Sequence, residues 1–152
     1  MKKPIFFLLA LLALSFAACD KDDDNSGSNT DKLTNGKWKL SASVAKFTFN
    51  GMEQTVDVYG QLPDCDTDNE IEFKADGTLI SDEADEKCNA NDPQQEVGTW
   101  SFNQDETEIT VSGIDDNFTA EIIELTNSKL RVKYDLNQNG IVTTTETTFV
   151  KI

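Results

Sequence analysis

From Trp38 onward, apolar and polar residues alternate with a period of two, in short runs separated by tight-turn residues. Trp38, Leu40, Ala42 and Val44 share one face, and Lys37, Lys39, Ser41 and Ser43 share the other. Successive side chains of an extended strand point to opposite sides, so such a run carries one apolar face. A helix needs apolar residues three and four apart, and no run in the chain sustains that spacing. Asn50-Gly51 separates Phe47 and Phe49 from Val56 and Val58, and Asn139-Gly140 separates Tyr134 from Ile141. Asn-Gly tolerates positive φ at both positions and favours two-residue hairpins. Further alternating runs carry Ile71 and Phe73, Leu79, Trp100 and Phe102, Ile109 and Val111, Phe118 to Leu125, Leu130 to Tyr134, and Ile141 to Ile152. About eight to ten short strands follow from this pattern. We expect an all-β, antiparallel up-and-down barrel over residues 33–152, because closure removes the exposed strand edges that so many short strands would leave. About 120 residues suit one domain with a single core.

The N-terminus reads differently. Lys2 and Lys3 precede an apolar run from Ile5 to Leu14, which is followed by Ala17, Ala18 and Cys19. The run is shorter than the roughly 20 residues needed to span a bilayer. Residues 1–18 therefore read as a signal peptide. Ser15-Phe16-Ala17-Ala18-Cys19 resembles a bacterial lipobox, with Phe16 where leucine is usual, which makes Cys19 the candidate for lipidation and so for contact with a lipid bilayer. The alternative is a plain secretory signal. Residues 19–32 carry no apolar residue after Cys19 and read as an acidic, flexible tether. Their start, Cys19-Asp20-Lys21-Asp22-Asp23-Asp24, is similar to the lipoprotein export signal of Bacteroidetes. That resemblance implies an outer-membrane protein facing the cell exterior; a simple polar spacer is the bland reading.

The chain carries 13 basic and 28 acidic side chains, a net charge of −15. Loss of residues 1–18 would remove Lys2 and Lys3 and leave −17. Such a charge repels phosphate backbones, so no nucleic-acid partner is expected. The chain has no histidine. That excludes Ser-His-Asp and Cys-His catalysis and histidine-based zinc sites. No pair of carboxylates stands out by its spacing, and we expect no enzymatic activity. Nothing in the chain asks for a second copy, and a monomer is expected.

Of three cysteines, lipidation of Cys19 would leave Cys65 and Cys88 as a pair. In an exported protein such a pair reads as a disulfide. A redox-active pair would favour Cys-x-x-Cys spacing, and free thiols are the remaining alternative. Gly36-Lys37-Trp38 opens the first strand as Gly-x-Trp does in lipocalins. Cys65, then Glu72-Phe73, Asp76-Gly77-Thr78, Cys88 and Gly98-Thr99-Trp100 follow in order. Together these resemble the lipocalin-like lipoprotein domains of Bacteroidetes, which implies a small barrel on a lipid tether.

Trp38, Phe73, Trp100, Phe102 and Tyr134 are the candidate barrel-lining residues. Inward aromatics either plug a barrel floor or line a cavity, and sequence does not separate a filled barrel from a hollow one. Asp135-x-Asn137-x-Asn139-Gly140-x5-Glu146 matches the EF-hand loop, making Asp135, Asn137, Asn139 and Glu146 candidate Ca²⁺ ligands. The runs on either side alternate like strands, so a hairpin with an Asn-Gly turn is the competing reading. Asp64, Asp66 and Asp68, and separately Asp82, Glu83, Asp85 and Glu86, form acidic loop clusters that read as solvated surface. No cofactor is otherwise expected. Two functions fit: a non-catalytic binding module for a small molecule or protein, or an accessory envelope protein with a filled core. If Cys19 carries lipid, Cys19→Ser should move the protein from the membrane fraction to the soluble one; unchanged retention would refute lipidation.

Overall fold

Nine antiparallel strands follow one another around the molecule in nearly sequential order. The structure is a computed structural model and describes residues 27–114, 117–138 and 140–152. The expected signal peptide and Cys19 lie outside the described residues, as does the tether up to residue 26. The elements are α1 (Asn29–Thr34), β1 (Lys37–Phe49), β2 (Met52–Asp57), a 3-10 turn (Tyr59–Gln61), α2 (Asp64–Thr67), β3 (Glu70–Phe73), β4 (Thr78–Asp82), β5 (Gln95–Phe102), β6 (Glu108–Ser112), β7 (Phe118–Leu125), β8 (Lys129–Gln138) and β9 (Ile141–Lys151). Each strand from β3 to β9 pairs with its sequence neighbour, and β1 pairs with both β3 and β9. Eight strands thus close a barrel. β2 is an extra strand, held by β1 alone through the register Phe49↔Met52 to Val44↔Asp57.

β1 departs from simple alternation. Its pairing with β9 slips between Leu40 and Ala42, so that Leu40 faces Phe149 while Ala42 faces Thr148. One extra residue in a strand is a β-bulge, and it exchanges the two faces beyond it. Trp38 and Leu40 therefore face inward with Ser43, Ala45 and Phe47, opposite Thr147, Thr145 and Thr143. This corrects the expectation that Ala42 and Val44 continue the Trp38 face. The bulged Ser41 donates its hydroxyl to the Thr148 carbonyl at 3.1 Å, which holds the irregularity in place.

One end of the barrel is plugged. Leu33 of α1 and Trp38 are both fully buried, and the Trp38 indole N–H donates to the Leu33 carbonyl at 2.8 Å. Lys151 lies 4.7 Å from the Trp38 ring centroid and donates to the Lys32 carbonyl at 2.6 Å. Burial lowers the Lys151 pKa. Trp100 stacks edge-on against Phe73 and Phe102, with centroids 5.7 and 5.1 Å apart, and its indole N–H donates to the Lys74 carbonyl. The sequence boundary at residue 33 falls inside α1. The folded part reaches back to Asn29, because Ser28 and Asp31 form a reciprocal capping box that starts a helix in otherwise polar sequence.

The other end carries the long connections. Cys65 in α2 and Cys88 in the β4–β5 loop are joined, with Cα atoms 5.2 Å apart. Such a link should stabilise the fold by about 3 kcal/mol in the chain-entropy model. Beside it, Asp82 accepts hydrogen bonds from Gln95, Gln94 and the Ala84 amide, which lower its pKa.

Gly98 of β5 passes close to the end of β6 and the β6–β7 connection. A Cβ there would lie 2.5 Å from the Ser112 carbonyl oxygen and 2.9 Å from Ile114. Only glycine lets β5 pass the β6–β7 connection at this separation. Gly98→Ala should lower stability by about 1–3 kcal/mol in urea unfolding; an unchanged midpoint would show that the strands part at no cost.

Candidate functional site

Above the plug the barrel is hollow. A cavity of about 430 Å³ opens inside it. Its apolar wall includes Phe73, Leu79, Ile109, Val111, Leu130 and Val132, supplied by the inward positions of β3, β4, β6 and β8. Period-two strands on a closed sheet project every second side chain into the interior, so these residues converge without being near in sequence. Toward the open end the wall continues through Ile114, Phe118, Tyr134, Leu136 and Phe149. Phe118 and Leu136 remain 41% and 43% exposed, which places the mouth at their level. Phe118 and Tyr134 rings meet there, with centroids 5.8 Å apart.

The side along β1 and β9 is polar. Ser43, Thr145 and Thr147 are buried, and the Ser43 and Thr147 hydroxyls lie 3.2 Å apart in a hydrogen bond. Thr145 and Thr147 come from β9, and the β1 bulge adds Ser43 to them by turning it inward in place of Val44.

A second cavity of about 340 Å³ adjoins the first. Ile71, Ser81, Tyr134 and Phe149 line both. It lies where the barrel wall is split. β3 pairs with β1 only over Lys37–Lys39 and β2 only from Val44 onward. Between those ladders the segment carrying Val58, Leu62, Asp66 and Asn69 covers the gap. The Val58 amide donates to the Ser43 carbonyl at 2.9 Å and fastens one end of that cover. The disulfide and a bond from the Glu86 amide to Asp68 hold the other end.

The five candidate lining residues divide. Phe73 and Tyr134 line the main cavity. Trp38, Trp100 and Phe102 do not; they pack below it as the floor. Their indole N–H groups are satisfied by backbone carbonyls near α1 and the β3–β4 turn, which pins the rings to that end. Phe118 and Phe149, two further aromatics on alternating positions, also line the cavities, as do Ser43, Ser81 and Ile114, which alternation of aromatics does not single out. Ser81 sits two residues beyond Leu79 on the same inward-facing alternation of β4, so that signal reaches it. It does not reach Ser43, because the bulge is invisible to simple alternation.

The calcium pattern falls on the β8–β9 hairpin, with no helix on either side. Asp135 pairs in register with Thr144 and accepts its hydroxyl at 2.6 Å. Asn137 accepts from the Gly140 amide at 3.2 Å. Glu146 lies opposite Lys133 and pairs with Arg131 at 3.3 Å. Asn139 is outside the described residues. The pattern's oxygens are thus spread along a ladder and answered by neighbours, whereas an EF-hand gathers them around one point. Asp66 lies near Cys65 and Cys88, but disulfide-bonded sulfurs offer no thiolate to a metal.

A family model for the lipocalin-like domain matches residues 34–132, well over half of the chain. The chain belongs to the lipocalin-like domain family. Its barrel is a binding-module fold of that family. None of the curated proteins matches the chain. The matched region of the lipocalin-like domain ends within β8, yet β9 closes the barrel and carries Thr145, Thr147 and Phe149. On the hairpin geometry, neither millimolar Ca²⁺ nor EDTA should move the melting temperature; a rise with Ca²⁺ that Glu146→Gln abolishes would restore the site.

Proposed function

We propose that this lipocalin-like protein is a non-catalytic binding module that holds a small, largely apolar molecule inside its barrel, displayed from the outer membrane by a lipid on Cys19. The observation that carries the binding reading is the main cavity. Its roughly 430 Å³ falls within the range of small-molecule pockets. An accessory protein with a filled core would have no use for a void whose lining loses packing contacts. The void is also open, because the mouth residues Phe118 and Leu136 stay exposed. Exposed apolar side chains at the rim of a concave site suit an incoming apolar ligand.

The absence of histidine supports a non-catalytic role, since the commonest general base is missing. The location rests on residues 1–24: the basic start, the short apolar run, the small residues before Cys19 and the acidic run after it. The disulfide agrees with an exported protein, because such bonds persist in oxidising compartments.

N-phenyl-1-naphthylamine, a neutral apolar probe, should bind the purified protein saturably with a rise and blue shift of its fluorescence. Val132→Trp, which places an indole in the void, should weaken that binding by at least about tenfold, or 1.4 kcal/mol, while the protein still melts cooperatively. A parent protein that gives no saturable signal would end the reading.

A further inference from the structure

We propose that the side chamber between β1 and β3 is a head-group subsite, and that it selects apolar molecules whose polar end donates hydrogen bonds, amines above all, over carboxylates. The proposal rests on the binding reading above and adds the chemical class of the ligand. The two cavities share Ile71, Ser81, Tyr134 and Phe149 in their linings, and the proposal lays one elongated molecule across both. Their linings differ in character. The main cavity is bounded almost wholly by apolar side chains, whereas the chamber brings in Ser43, Asp66, Asn69 and Thr147.

Charge decides which head fits. Among the described residues, Asp66 is the only charged side chain lining either cavity, and no lysine or arginine lines them. Its carboxylate has no hydrogen-bond donor among the described residues. The nearest polar neighbour is Cys88 Sγ at 3.1 Å from Oδ1, and a disulfide sulfur carries no hydrogen to give. The Asn69 side-chain oxygen is buried and also without a donor. Ser43 and Thr147 share one hydrogen bond, so the acceptors left for a ligand to answer are the Asp66 carboxylate and the Asn69 oxygen. An ammonium or hydroxyl head supplies the missing donors, and a charge-assisted bond to Asp66 favours the ammonium. A carboxylate head would be desolvated with no cation to meet it, beside a like charge at short range.

The placement is a consequence of topology. The chamber exists because β1 leaves Leu40 to Ser43 without a neighbouring strand on that edge, and the disulfide-fastened cover spans the gap.

The test is displacement of N-phenyl-1-naphthylamine by three ligands with one chain length: decylamine, decanol and decanoate, at neutral pH. Decylamine should compete best and decanoate worst, with at least about a tenfold span between them. Asp66→Asn, a substitution of similar shape at a half-buried position in α2, should reduce the amine-to-carboxylate span to under about threefold, each displacement being referred to the variant's own probe affinity. Equal competition by decanoate and decylamine in a protein that binds the probe would overturn the head-group assignment and leave the binding reading standing. An amine preference unaltered in Asp66→Asn would overturn it as well. Failure of the probe itself to bind would sink both.

Discussion

One extra residue in β1 shapes the interior on which the rest depends. β1 is the strand that closes the barrel, pairing β9 from Trp38↔Lys151 to Phe47↔Thr143. Had it alternated without interruption, Val44 would face inward and Ser43 outward. The bulge at Ser41 reverses the two, and a bulged strand bends as well as exchanging its faces. Above the bulge the wall becomes Ser43, Thr145 and Thr147; below it the wall is Trp38 and Leu40. The same strand gives up its partner β3 after Lys39 and acquires β2 at Val44. The polar strip and the lateral gap thus arise within a few residues of one irregularity.

A hollow barrel must find its stability away from its centre. The largest buried side chains pack at the floor, where Leu33, Trp38 and Trp100 are buried beneath the cavity. Both indoles there donate to backbone carbonyls, so burying their N–H groups leaves no unpaired donor. At the mouth, covalent linkage substitutes for packing. The Cys65–Cys88 bond ties the cover of the side chamber to the β4–β5 loop. The outer face adds exposed ion pairs such as Lys133 with Glu121 at 2.6 Å, which are individually weak in water. Rigid floor and stapled rim leave the middle free to be a container.

Much of this was legible in the residues. Alternation and Asn-Gly turns placed the strands, and the β8–β9 hairpin prevailed over the calcium pattern because β-pairing is set by flanking residues that an oxygen-spacing motif ignores. Gly98 was visible as part of Gly-Thr-Trp, though its reason, a carbonyl 2.5 Å from where Cβ would sit, was not. The Ser28-x-x-Asp31 capping box was also present to be read, but α1 is short and polar, and Leu33 is its main apolar anchor. The aromatic side chains were legible as inward and not as floor or wall. That distinction depends on height along the barrel axis, which follows from register and not from periodicity.

By itself the sequence determined an antiparallel sheet of short strands, a pair of cysteines able to join its loops, and an interior without histidine. These are local or compositional properties, written in neighbours a few residues apart. Only the tertiary structure decided that the interior encloses a cavity, that Trp38 and Trp100 lie beneath it, and that Ser43 and Asp66 come to border an adjoining one. Empty volume is what remains when eight strands with their particular bulges and registers have closed on one another. It is a sum over the whole barrel, and no single stretch of the chain contains it.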